Sequence, residues 1–254
     1  DRFHIHGQRD KHIFITGGAS GIGESFVRAF AEQQSKVSFI DIDDKAAQLL
    51  CEELQSKGFD DCIFYQHCDI RNIDNIRECV QSARNRFGAI AVLINNAAKD
   101  DRHKISDVDA DYWDNCQNIN LRPHFFTAQS VVEDMKTLGG GSIINLSSNS
   151  FMLKVGGMPG YLTAKAAIVG LTRALARDLG GDNIRVNSIL PGWVITDRQR
   201  ELWLTEEAKE ELLEQQCLKE LIFPEEVANL ALFLASKQSK MITAQSLIID
   251  AGRV

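Results

Sequence analysis

Thr16-Gly17-Gly18-Ala19-Ser20-Gly21-Ile22-Gly23 stands between a short apolar run and an amphipathic stretch. The run before it, His12-Ile13-Phe14-Ile15-Thr16, has the length and composition of a buried strand. The stretch after it, 21–33, has the apolar period of a helix. Glycines at 17, 21 and 23 permit a tight turn, close approach of a pyrophosphate and tight helix–strand contact. A helix N-terminus then offers N–H groups and a positive dipole end to phosphates. A glycine-rich loop alone is only a turn. Strand, loop and helix in this order read as a dinucleotide site.

The pattern repeats along the chain. Further strands are expected at 36–40, 62–67, 91–95, 142–146, 185–189 and 246–249. Several are rich in Ile, Val and Phe without strict alternation, as strands covered on both faces are. Helices are expected at 44–56, 73–87, 111–135, 161–179 and 224–235. Pro224 suits a first helical turn, with Glu225 and Glu226 behind it. Gly180-Gly181 ends the helix before it, and Gly139-Gly140-Gly141 reads as a loop. Strand–helix alternation from end to end implies an α/β fold, a doubly wound, seven-stranded parallel sheet with helices on both faces. No repeat or linker divides the chain, so 1–254 reads as a single domain with a polar arm at 1–10.

Bulk properties exclude several classes. The 254 residues are 44% apolar, enough for one large core. The net charge of −7 gives no basic face for nucleic acid. No apolar run approaches the ~20 residues that span a bilayer, and the polar arm lacks a signal-peptide core. A cytoplasmic protein with no nucleic-acid or membrane partner is expected. The six cysteines form no CxxC pair, so they read as reduced structural thiols rather than metal ligands. His67 and Cys68 are adjacent in a strand and face opposite ways. His4 and His6 fall in the arm. No metal is expected.

The second strand runs into Asp41, 18 residues after Gly23 and near where an acidic residue meets the adenosine ribose. A carboxylate there accepts hydrogen bonds from both ribose hydroxyls and repels a 2′-phosphate, and Ile42 supplies no cation. NAD is therefore expected over NADP. Asp43 and Asp44 read as caps of the next helix.

From about Lys11 to Val254 the sequence resembles the short-chain dehydrogenase/reductase family. Residues 16–23 match its TGxxxGxG loop, and Asn95-Asn96-Ala97-Ala98 looks like its NNAG motif with Ala in the last place. Ser148, Tyr161 and Lys165 match its serine and YxxxK. The resemblance implies a Rossmann-like domain. It implies cofactor contacts from Gly17, Ser20, Gly21, Ile22, Gly23, Asp41, Asp69, Ile70, Asn95 and Ala97. Further contacts are implied from Tyr161, Lys165, Pro191, Gly192, Val194 and Thr196. It also implies a role for Asn120 in a water-mediated link to Lys165, and a homodimer or homotetramer.

The residues themselves support this chemistry. Of three tyrosines only Tyr161 has a lysine at i+4, on the same helical face. A free phenol, with pKa ~10, is a poor base at neutral pH. A nearby ammonium and a positive nicotinamide are expected to lower that value, so that the phenolate takes a proton as hydride leaves. Ser148 lies thirteen residues earlier at a strand's carboxyl end, where its hydroxyl holds the reacting oxygen. Ser147 is its competitor, disfavoured by that spacing. Asn120 reads either as part of a proton path or as a satisfied buried amide.

The substrate reading rests on polar residues near the expected mouth. Asp100-Asp101-Arg102-His103-Lys104 follows the fourth strand, Asn149 follows the serine and Trp193 follows Pro191-Gly192. Sugars suit paired polar groups beside an aromatic face, so Asp101, His103, Asn149 and Trp193 are the expected substrate contacts. The segments 100–103, 112–114 and 216–219 also resemble sugar 1-dehydrogenases of this family, which oxidise aldoses to lactones with NAD. Residues 193–219 are expected to form a lid. The alternatives are another small-molecule alcohol or ketone as substrate, such as a 3-oxoacyl, steroid or polyol compound, or a dinucleotide sensor without turnover.

Overall fold

The computed structural model describes residues 7–254, so His4, His6 and the first six residues of the expected arm lie outside the described residues. Strands β1 (His12–Thr16), β2 (Lys36–Asp41), β3 (Ile63–His67), β4 (Val92–Asn95), β5 (Gly141–Leu146), β6 (Ile184–Pro191) and β7 (Ser246–Ile249) form one sheet. Their order is β3-β2-β1-β4-β5-β6-β7, and every pairing is parallel. The expected doubly wound sheet is therefore the observed one.

The helices are α1 (Gly21–Glu32), α2 (Asp44–Ser56), α3 (Ile73–Phe87), α4 (Ala110–Asn120), α5 (Arg122–Thr137), α6 (Pro159–Leu179), α7 (Asp197–Leu202), α8 (Glu206–Gln215) and α9 (Pro224–Ala235). Side-chain oxygens start several of them. Asp43 accepts from the Ala46 N–H, Asn72 from Asn75 and Asp109 from Tyr112. Each satisfies a donor that the first helical turn leaves open.

Alternate strand residues feed two cores. Ile13, Ile15, Val37 and Phe39 pack with Phe26 and Phe30 of α1 and with α9. Phe14, Ile40 and Leu93 pack with α3, α5 and α6. Fully burying such a side chain contributes roughly 1.5–3 kcal/mol, and both faces of the sheet are covered this way. Residues 7–10 also belong to the body: Gln8 is buried, and its carbonyl accepts from the Ser35 hydroxyl.

One expected helix is two. The stretch 111–135 breaks at Leu121 (φ −130°, ψ −56°). Pro123 has no N–H to return to the residue four before it and sits in the first turn of α5, where none is needed. The break leaves Asn120 at the end of α4. Residues 193–219 contain two short helices, α7 and α8, over the carboxyl end of the sheet. No described helix is long and apolar enough to cross a membrane.

Candidate active site

The order in which strands are added reverses between β1 and β4, the switch point at which such sheets open a crevice at the strands' carboxyl ends. The Thr16 hydroxyl accepts from the N–H groups of Asn96 and Ala97, docking the 95–98 loop on the glycine loop. Gly17 (φ +67°) lies so near that an added methyl would meet the Ala97 Cα at 2.7 Å. A methyl on Gly23 would overlap the Gly17 carbonyl, and one on Gly21 (φ +57°) would touch the Thr196 methyl at 3.2 Å. Ser20, the residue before α1, makes no side-chain cap. The first-turn N–H groups with Ile22 thus face a cradle that a larger residue would fill, as a dinucleotide's phosphates require.

Asp41 sits at the cradle's edge. One carboxylate oxygen accepts from the Ala19 N–H at 2.9 Å, and the other from Ile42 and Asp43. Asp69, before the buried Ile70, is held by Arg71, which keeps its carboxyl below the usual range. Asn95 points inward: its amide donates to the Asn145 side chain and the His124 carbonyl, and its oxygen accepts from Thr127. It holds β4, β5 and α5 together. Its neighbour Asn96, passed over in the sequence reading, grips the carbonyls of Thr16 and Gly17.

Ser148 lies two residues past the end of β5. Its hydroxyl donates to Ser150 at 2.8 Å and is a hydrogen-bonding neighbour of the Tyr161 phenol. Ser147 donates instead to the Lys165 carbonyl at 2.6 Å, inside the protein. The Lys165 ammonium is fully buried, donates to the Leu146 carbonyl at 2.9 Å and lies 5.5 Å from the centre of the Tyr161 ring. Burial lowers its pKa to about 8, against the pull of Asp100. Asn120 is buried, with its oxygen accepting from the Lys99 N–H and its amide donating to the carbonyls of Lys99 and Cys116.

The phenol departs from expectation. Burial, then the Asp100 carboxylate, raise the Tyr161 pKa above its ordinary value, while Arg102 and Ser148 pull it down. Lys165 directs one N–H to the Leu146 carbonyl and does not offset this rise.

The four expected substrate contacts part company. Trp193 faces the crevice loops, its indole N–H donating to Gln199 at 2.8 Å. Asp101 pairs with Lys99 at 2.7 Å and with Arg198 at 3.9 Å. Asn149 is turned inward, donating to the buried Asp250 carboxylate at 2.9 Å. His103 is also buried, with both ring nitrogens among protein groups. Asp100, not singled out from its polar run, pairs with Arg198 at 3.2 Å and accepts from Gln199 at 3.4 Å. It joins α7 to the loop after β4. Pro191 and Gly192 lie at the carboxyl end of β6: the Pro191 carbonyl accepts from the Asn149 N–H, and Gly192 abuts Asp250. Val194 pairs with Ile222, and Thr196 caps α7.

Residues 17–253 match a family described as enoyl-(acyl carrier protein) reductase. A galactose dehydrogenase of Rhizobium meliloti, itself described as probable, is 46% identical over 96% of this chain and 95% of its own. The D-xylose 1-dehydrogenase of Caulobacter vibrioides is 44% identical over 96% of each. A solved short-chain type dehydrogenase/reductase from Mycobacterium ulcerans superposes with a TM-score of 0.91 at 25% identity, covering 96% of this chain and 90% of that one.

Proposed function

The chain belongs to the short-chain dehydrogenase/reductase family, and from that premise we propose that it oxidises an aldose at its anomeric carbon to the lactone, with NAD. It is a dehydrogenase acting on a CH–OH group. The observation that carries the sugar reading is the polar wall of Asp100, Gln199 and Trp193, hydrogen-bonded in series beside Tyr161. A pocket for a steroid or acyl chain would be lined mainly by apolar groups. The relatives described as acting on galactose and xylose point the same way.

A nicotinamide cofactor, when bound, would supply the hydride acceptor. The glycine cradle and the first turn of α1 would hold the pyrophosphate, and Asp41 would take the adenosine ribose hydroxyls. Ser148 holds the anomeric oxygen. Tyr161, as phenolate, accepts the hydroxyl proton while the anomeric C–H bond gives up its hydride and the C=O bond forms. Lys165 keeps a positive charge beneath the Tyr161 ring, and Asn120 braces the Lys99 backbone alongside. Because the phenol starts above its ordinary pKa, turnover rises with pH on its base limb.

The test is a panel of aldoses, polyols, steroids and β-ketoacyl thioesters, each with NAD(H) and NADP(H), followed at the NADH absorbance. Oxidation of aldoses with NAD is expected. Turnover of hydrophobic ketones alone removes the sugar reading, and NADH binding without turnover of any member favours a sensor.

A further inference from the structure

We propose that His103 is a positioning residue that fixes the start of α6, and through it the hydroxyl of Tyr161, rather than a group that touches substrate. The inference rests on the reading of Tyr161 as the acid–base. Helix α6 begins at Pro159, which has no N–H, after Met158, which makes no side-chain cap. Leu162 already donates to the Met158 carbonyl, so the Gly160 N–H is an open donor of the first turn. It donates to the Nε2 of His103 at 3.2 Å. The cap therefore comes from another segment of the chain, the loop after β4.

The imidazole is held in turn. With Nε2 accepting, its proton sits on Nδ1, which lies 3.0 Å from both the Asp101 carbonyl and the Tyr112 hydroxyl. The Tyr112 ring packs on it edge-on, centroids 5.0 Å apart. The His103 N–H also donates to the Gly157 carbonyl at 2.7 Å, just ahead of the helix. On the other side of the same residue, Gln117 of α4 donates to the Gly160 carbonyl at 3.0 Å. A methyl on Gly160 would meet Cys116 at 3.1 Å, so α4 lies close against this turn. Gly160, the residue immediately before Tyr161, is thus gripped at its N–H by His103 and at its C=O by Gln117. Asp100, which acts on the phenol by its charge, is three residues from His103 in the same loop. One loop both bears on the proton affinity of the phenol and sets where it stands.

The experiment compares wild type with His103→Gln, His103→Asn, His103→Leu and, separately, Tyr161→Phe. NAD and D-xylose serve as probes, with the NADH Kd read by fluorescence. Gln carries an acceptor to about the place of Nε2, Asn falls short of it, and Leu has none. The Leu and Asn variants are expected to lose kcat on the order of ten- to a hundredfold. KM for D-xylose and the NADH Kd should change by less than about threefold, and Gln should return kcat to within about threefold of wild type. Backbone amide exchange at 159–162 should quicken in Leu and Asn but not in Gln. If Leu fails to fold, as NADH binding will report, the Asn and Gln pair decides. Wild-type kcat in Leu, equal kcat in Asn and Gln, or a loss carried by KM alone overturns the inference. So does unchanged amide exchange, whether or not any aldose is oxidised. Near-normal turnover of Tyr161→Phe instead removes the acid–base reading, which the exchange measurement does not depend on.

Discussion

After burial itself, the carboxylate of Asp100 is the strongest influence holding the Tyr161 phenol above its ordinary pKa. The group that shapes the mouth of the crevice therefore also sets how alkaline the medium must be before the base forms. Asp100→Asn keeps the size of the side chain and removes its charge. The base limb of the kcat profile is expected to move toward acid, because the phenolate forms more easily. The same change also lowers Lys165, whose charge Asp100 supports, so the shift stays partial. A limb that stays in place or moves toward alkali would show that Asp100 does not govern the phenol.

Asp41 accepts from three N–H groups and presents its carboxylate at the edge of the glycine loop. Asp41→Ala removes the charge that repels a 2′-phosphate. The ratio of kcat/KM for NAD over NADP should fall by on the order of ten- to a hundredfold, as loss of one or two charge-assisted contacts implies. An unchanged ratio would assign the preference to another residue.

Lys165 exchanges stability for chemistry. Its folded pKa, about 8, lies below the unfolded value of 10.5. Between those values the unfolded chain binds more protons, so stability from this group rises with pH, and below about 8 the buried charge costs its full amount. Lys165→Met is expected to abolish turnover yet raise stability at pH 7 by roughly 1–2 kcal/mol. Denaturant midpoints from pH 7 to 10.5 check this. A variant less stable than wild type at pH 7 would show that the bond to Leu146 outweighs the cost of burial.

His124 is an acid liability. Burial, and then the Lys165 charge, hold its pKa down to about 3. Its stability contribution is fully present above the unfolded value of 6.5 and is lost as pH falls toward 3. Between pH 7 and 5 wild type should therefore lose about 2 kcal/mol that His124→Leu does not. Parallel losses in the two proteins would contradict this.

Much of this was legible in the residues because the signals were local. The glycine loop, the buried strands and the i, i+4 pairing of Tyr161 with Lys165 each need only a few consecutive positions. The strand ends moved by a residue or two, as hydrogen bonding rather than hydrophobicity sets them. What escaped depends on long-range partners. A polar run was visible at 100–104, but nothing local says that Asp100 meets α7 while His103 turns inward to α6. Asn149 looked like a substrate contact by adjacency to Ser148, yet its partner, Asp250, lies 101 residues away. The break before Pro123 was the exception: its signal was present in the sequence and was outweighed by the apolar period on both sides.

The ion pair between Arg198 and Asp100 has a bearing on protein engineering. Transplanting residues 193–219 from a relative to change the sugar would strand Asp100 opposite whatever side chain the graft brings. The stranded charge would then perturb Tyr161 from the opposite wall. A chimera that keeps its rate should exchange the loop after β4 together with the lid, as a matched set.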